Sequence, residues 1–133
     1  MGLRLLRSGP APDLVLASTA LRCRETWAAL SAGLGDPQEI EVRFDAALYA
    51  ASAERLLDVL AGVTAARTVL LIAHNPGVSQ LAHDLARGDD EARAELRAGF
   101  APAAIACFAI EGDWHEVSAA TARLRRFDRS PLD

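Results

Sequence analysis

Hydrophobic positions along the chain fall into two patterns. Two short stretches, PDLVLAS (12–18) and TVLLIA (68–73), are apolar almost without interruption and are bounded by turn-forming residues. That is the look of a strand covered on both faces, and it implies a parallel sheet of the α/β kind. EIEVRF (39–44) alternates polar and apolar residues instead, which suits a strand nearer the sheet edge with one solvated face. Elsewhere apolar residues recur at helical spacing. Ala20, Cys23, Trp27, Leu30 and Leu34 form one stripe after a Ser18–Thr19 cap, ended by Gly35, Asp36 and Pro37. Leu56, Leu57, Leu60 and Val63 mark a helix starting near Ser52, and Val78, Leu81, Ala82 and Leu85 mark another opened by Pro76. MGLRLLRSG reads as the short last part of a helix stopped at Gly9 and Pro10. Near the carboxyl end, GDDEARAELRAG reads as a solvated surface helix. AAIACFAI and DWHEV read as two strands of an antiparallel hairpin, and RLRRFDRSPLD as a solvated terminus.

The 133 residues, 51% hydrophobic and 24% charged, fit one globular domain spanning 1–133. A net charge of −4 gives no field that would draw nucleic acid or an anionic membrane, so neither is an expected partner. All 14 positive side chains are arginine. Chemistry on anions must therefore use arginine, histidine or backbone amides. Cys23 and Cys107 lie far apart and without metal-ligand spacing, as two small buried residues of a reduced protein would. The amino-terminal MGLRLLRSGPAP lacks the apolar core of about 7–15 residues of a signal peptide, and no later run approaches the ~18 apolar residues of a membrane span, so the cytoplasm is the expected compartment.

In an open α/β sheet, ligands bind beyond the carboxyl ends of the strands. Two junctions of that kind stand out. In LASTALRCRET a strand ends at Ser18 and Arg22 falls in the first turn of the next helix, outside its apolar stripe. In LIAHNPG, His74 is the final strand residue, Asn75 is placed to cap and Pro76 sits where a helix best accepts proline. Each helix start offers amide N–H groups to an anion; the first junction adds a guanidinium that can grip two phosphate oxygens, the second an imidazole. Alone, such an arginine is ordinarily a surface residue and such a histidine a structural one. Together, at equivalent junctions, they outline a phosphate pocket. His83 and His115 read as incidental, no Cys or His pair has ligand spacing, and neither metal nor cofactor is expected.

These segments resemble a known family. DLVLASTALRCRETW is similar to the Ser-Ser-Pro-x-x-Arg-Ala-x-Gln-Thr segment of the histidine phosphatase superfamily, and VLLIAHNPGVSQLA to its Gly-His-Asn-Pro-Gly segment as written in SixA-type phosphohistidine phosphatases. LYAASAERLLDVL and AIACFAIEGDWHEV also resemble that pattern, so the likeness runs over nearly the whole chain. Ala17, Thr19, Cys23, Glu25 and Ala73 depart from it without removing a phosphate ligand. The fold implied is the phosphoglycerate-mutase-like one: three layers, α/β/α, with a mostly parallel sheet and helices on both faces. Arg22 and His74 would bind phosphate with Asn75 and act in catalysis, while Asp45 lies near the segment that carries the general acid in larger relatives.

The nucleophile of that superfamily belongs to an Arg-His-Gly or Arg-His-Ala motif on the first strand, and the sequence contains neither. MGLRLLRSG resembles the second half of the helix after that strand. An N-terminally truncated domain follows, without its central strand and with unpaired edges on the neighbouring strands. A start assigned too far downstream is the preferred explanation, beside a deliberately shortened chain and a degenerate member. The function implied for the complete protein is removal of phosphate from protein phosphohistidine through a phosphohistidine intermediate; the alternative is a non-catalytic phosphate- or phosphoprotein-binding pseudophosphatase. The partner is a phosphorylated protein or a small phosphate ester. With only one helix, a strand, a loop and another helix between Arg22 and His74, no lid is expected and the pocket should be open, which favours a protein-borne phosphoryl group.

Overall fold

The two continuous apolar runs become neighbouring parallel strands, β2 (Leu14–Ser18) and β4 (Thr68–Ile72), and every residue of both is buried. Strands of that kind need cover on both sides, and the alternation of their side chains sorts the core into two faces. Val15, Ala17, Leu70 and Ile72 pack with Cys23 and Trp27 of helix α1 (Leu21–Ala32). Leu14, Leu16, Val69 and Leu71 pack against the opposite layer. That layer holds Leu56 and Leu60 of α2 (Ala53–Ala61), Val78, Leu81 and Leu85 of α3 (Gly77–Leu85), and Leu96 of α4 (Asp90–Ala98). The computed structural model in which these contacts are seen describes residues 2–6, 12–32, 40–74, 76–86, 90–98 and 105–128. Gly35, Asp36 and Pro37, expected to end α1, and Asn75, expected to cap α3, lie outside the described residues.

The remaining strands are β1 (Gly2–Leu6), β3 (Glu41–Asp45), β5 (Ile105–Ile110) and β6 (Ala122–Asp128), and the six-stranded order is β3-β2-β4-β1-β5-β6. β3 takes the edge, as its alternation predicts, and runs parallel to β2 with Ser18 opposite Asp45. Asp13 sets the level of β2 against β4. Its carboxylate accepts the backbone N–H groups of Arg67 (2.9 and 3.1 Å) and Thr68 (2.9 Å), so the two strands start together and deliver their carboxyl ends side by side.

Two expectations fail at the amino end. MGLRLLRSG supplies a strand, not the end of a helix, and the slot between β4 and β5 is filled by β1. β4 and β5 therefore have no unpaired edge there. β1 runs antiparallel to β4, with Gly2 opposite Ile72 and Leu6 opposite Thr68, and parallel to β5, so the sheet is mixed. The physical reason is the demand of the sheet: two central strands with open N–H and C=O groups outweigh the weak helical preference of a five-residue segment.

The carboxyl end also differs from expectation. DWHEV is not a strand; Trp114–Glu116 form a 3-10 turn, with Trp114 buried and its indole N–H donating to the Ala66 carbonyl at 2.7 Å. The strand antiparallel to β5 is β6, drawn from the basic stretch expected to be solvated. Ala122 and Leu124 are buried while Arg123 and Arg125 are exposed, which is the period-two alternation of a strand with one covered face.

Candidate functional site

β2 and β4 end side by side, and the residues that follow them meet. Oγ of Ser18, a fully buried side chain, lies 3.1 Å from Nε2 of His74. The Ser18 oxygen also accepts the N–H of Ala20 at 3.3 Å, which ties it to the start of α1. Sγ of Cys23, in the first turn of that helix, is 3.8 Å from the same His74 nitrogen. His74 is thus held by both elements of the first junction. It stands two residues beyond the end of β4, not on the strand as expected, and its carbonyl accepts the Val78 N–H at 2.9 Å, while Pro76 takes the N-cap position of α3 instead of its first turn.

Burial pushes the Cys23 thiol above its ordinary range, against the hydrogen bonds it makes to Ser18. At neutral pH it is a neutral thiol, a weak hydrogen-bonding partner of His74 and not a thiolate nucleophile.

The two arginines of RCRE have different surroundings. Arg24 is structural: its Nε donates to the Thr19 carbonyl at 3.0 Å and its guanidinium carbon lies 4.4 Å from the centre of the Phe44 ring, a cation–π contact. Arg22 is exposed beside Cys23, with its carbonyl accepting from Thr26 Oγ1 at 2.8 Å. Asp45 stands at the same edge of the sheet, opposite Ser18, but its Oδ1 accepts the Ala47 N–H at 2.9 Å and caps a 3-10 turn, Ala46–Leu48. His83 and His115 are exposed, and neither touches this site. Among the described residues one group could offer a metal three ligand atoms, Asp113, His115 and Glu116, all exposed, in the connection between β5 and β6.

A cavity of about 550 Å³ opens beside His74, bounded by Tyr49, Ser52, Pro76, Gly77 and Gln80. Its walls are set by a close backbone approach. A Cβ on Gly77 would sit 2.0 Å from the Ala51 carbonyl oxygen, so only glycine lets α3 start against the 49–51 segment. On that segment Ala50 is held at φ 52°, a left-handed conformation that costs a non-glycine residue about 1–3 kcal/mol. Ser52 caps α2 by accepting the Arg55 N–H at 3.2 Å. Tyr49 leans over the site, its ring centre 5.4 Å from that of His74 and tilted by 60°. Pattern reasoning had no reason to choose Tyr49, Cys23 or Gln80; the one available signal was a lone tyrosine in a loop.

Fold and site together define a mixed-sheet α/β protein whose candidate site lies at the carboxyl edge of β2 and β4. No protein-family model matches the sequence. Uncharacterized proteins from two strains of Mycobacterium tuberculosis are each 36% identical over 121 residues, covering 89% of this chain and 73% of their own length. A structure from Nakamurella multipartitia, provisionally named phosphohistidine phosphatase SixA, superposes with a TM-score of 0.75 at 30% identity, covering 92% of this chain and 73% of that one. A similarly named structure from Agrobacterium tumefaciens gives a TM-score of 0.67 at 24% identity, over 95% and 96% of the two chains, a likeness of fold. The chain belongs to the SixA-like family. No helix among the described residues is long and apolar enough to cross a membrane.

Proposed function

We propose that the carboxyl edge of β2 and β4 binds a phosphoryl group, and that the protein acts on protein phosphohistidine. The observation that supports the reading is the 3.1 Å contact between Ser18 and His74, which joins the two junctions; Arg22, exposed in the first turn of α1, is the guanidinium of the proposal. A phosphoryl group there meets an imidazole, a guanidinium and the N-terminal ends of α1 and α3. Asn75 and Asp45 belong to the proposal as a further phosphate contact and as a proton donor to the leaving group. The three-layer family architecture, a phosphorylated protein as partner and a cytoplasmic place of work come with it.

Turnover needs a nucleophile. In the mechanism the family resemblance implies, a histidine nitrogen attacks phosphorus, the bond to the leaving nitrogen breaks as the new N–P bond forms, and water then releases phosphate. Charge spreads over the three equatorial oxygens, so fixed positive charge and positioning do most of the catalysis. No Arg-His-Gly or Arg-His-Ala motif occurs in these 133 residues, and the Cys23 thiol is neutral. Those two observations favour a second reading for the chain as it stands, a phosphate-binding module without turnover. Calorimetric titration with inorganic phosphate tests the site common to both. Phosphate release from a phosphohistidine peptide, assayed with this chain and with one extended upstream to include an Arg-His motif, separates them. Release by neither, with phosphate still bound, overturns the enzyme reading.

A further inference from the structure

The cavity beside His74 is larger than a phosphoryl group needs, and most of its lining is apolar. Alanine, proline and glycine make most of the wall, which Tyr49 and His74 complete with their rings and Ser52 and Gln80 with polar groups. Among the described residues no carboxylate and no guanidinium lines it. Such a wall suits a flat, weakly polar group, and it offers little to the hydroxyls of a sugar or to a charged headgroup.

The aromatic ring is exposed and yet firmly held. Tyr49 is 60% accessible, but its N–H donates to the Ala46 carbonyl at 3.0 Å, its neighbour Leu48 is fully buried in the core, and Ala51 is locked against Gly77. An exposed tyrosine on a fixed loop, beside a candidate phosphate contact, can stack on a ligand with little ordering cost. Gln80 supplies direction. Its Nε2 donates one N–H to Asp84 Oδ1 at 2.8 Å along α3, which anchors the amide and leaves its second N–H for a ligand in the cavity that Gln80 lines.

We infer that this cavity holds the imidazole ring of the phosphohistidine, stacked on Tyr49 with its unsubstituted ring nitrogen accepting the second amide N–H of Gln80, and that these two residues determine specificity for the leaving group. The inference rests on the phosphate-site reading above. The volume, within the roughly 300–1,000 Å³ common for ligand pockets, also leaves room for the side-chain stem and adjoining peptide.

The test is a binding comparison on the full chain, using inorganic phosphate, a phosphohistidine peptide and a phosphoserine peptide of otherwise identical sequence. The expected result is roughly tenfold tighter binding of the phosphohistidine peptide, the product of one aromatic contact and one hydrogen bond of ordinary strength. Tyr49→Ala should cut that ratio about threefold or more, and Tyr49→Phe should keep it, since only the ring face is used. Gln80→Leu should lower the ratio by a similar factor while leaving the relative affinity for phenyl phosphate, which has no ring nitrogen, in place. Equal affinity for the two peptides, with inorganic phosphate bound, overturns the ring pocket and leaves the phosphate site standing. Failure to bind inorganic phosphate at all removes the phosphate site and this inference with it.

Discussion

Ser18 and His74 are separated by 56 positions in sequence and by 3.1 Å in space, and the contact is made by a hydroxyl with no exposure to solvent. The hydrogen bond fixes the Nε2 edge of the imidazole at the mouth of the site.

Ser18→Ala should loosen that ring. The loss of one neutral hydrogen bond, about 0.5–1.5 kcal/mol, predicts a two- to tenfold weaker affinity for inorganic phosphate by calorimetry. It also predicts a thermal midpoint lower by a few degrees, because the Ala20 N–H loses its acceptor.

Arg22→Ala and Arg24→Ala should have opposite effects. Arg22 is exposed, and in the proposed role, removing a charge-assisted phosphate contact of about 1.5–3 kcal/mol predicts a ten- to hundredfold loss of phosphate affinity with little change in stability. Arg24 bonds the Thr19 carbonyl and covers Phe44, so its loss should lower the unfolding free energy by about 1 kcal/mol in urea titration. If Arg24→Ala abolishes phosphate binding while Arg22→Ala spares it, the assignment of the two roles is wrong.

Gly77→Ala is expected to be the most damaging small substitution in the site. With a Cβ placed 2.0 Å from the Ala51 carbonyl, α3 and the 49–51 segment must separate. A cost of about 1–3 kcal/mol in unfolding experiments is expected, accompanied by loss of the cavity beside His74.

Cys23 gives a pH signature. Its thiol is held above the ordinary value near 8.5 mainly by burial, so above that value the unfolded chain releases its proton first and stability falls as pH rises. The contribution is fully present at neutral pH and below. Cys23→Ala should flatten the alkaline part of the stability curve. Alkylation should tell the same story: the native thiol should resist iodoacetamide at neutral pH and react once urea unfolds the chain.

How legible this was in the sequence depended on whether local pattern and sheet agreed. PDLVLAS and TVLLIA read as strands covered on both faces because turn-forming residues bound each short apolar run, and Ser52 could be read as a cap because its hydroxyl acts within one turn. The GLRLL segment was ambiguous: a five-residue apolar run fits a helix turn as well as a strand, and the slot between β4 and β5 decided it. β6 was hidden because arginines on the exposed positions of a one-faced strand look like a charged tail unless Ala122 and Leu124 are given their weight. The pairing of the Ser18 and His74 junctions was readable from equivalent positions after two like strands. Tyr49 was not, because the backbone approach of Gly77 to Ala51 brings it there, and no periodicity records such a contact.

The reversed course of β1 has a practical side. Gly2 pairs with Ile72 and with Ile105, and Ile105 in turn faces Asp128 of β6, so both ends of the described chain lead toward the edge of the sheet where His74 stands. A tether attached at Gly2 or Asp128 would therefore start from that end of the sheet. Thr64 and Ala65, exposed in the turn that leads into the opposite end of β4, are the better handle for immobilising this protein without obstructing its site.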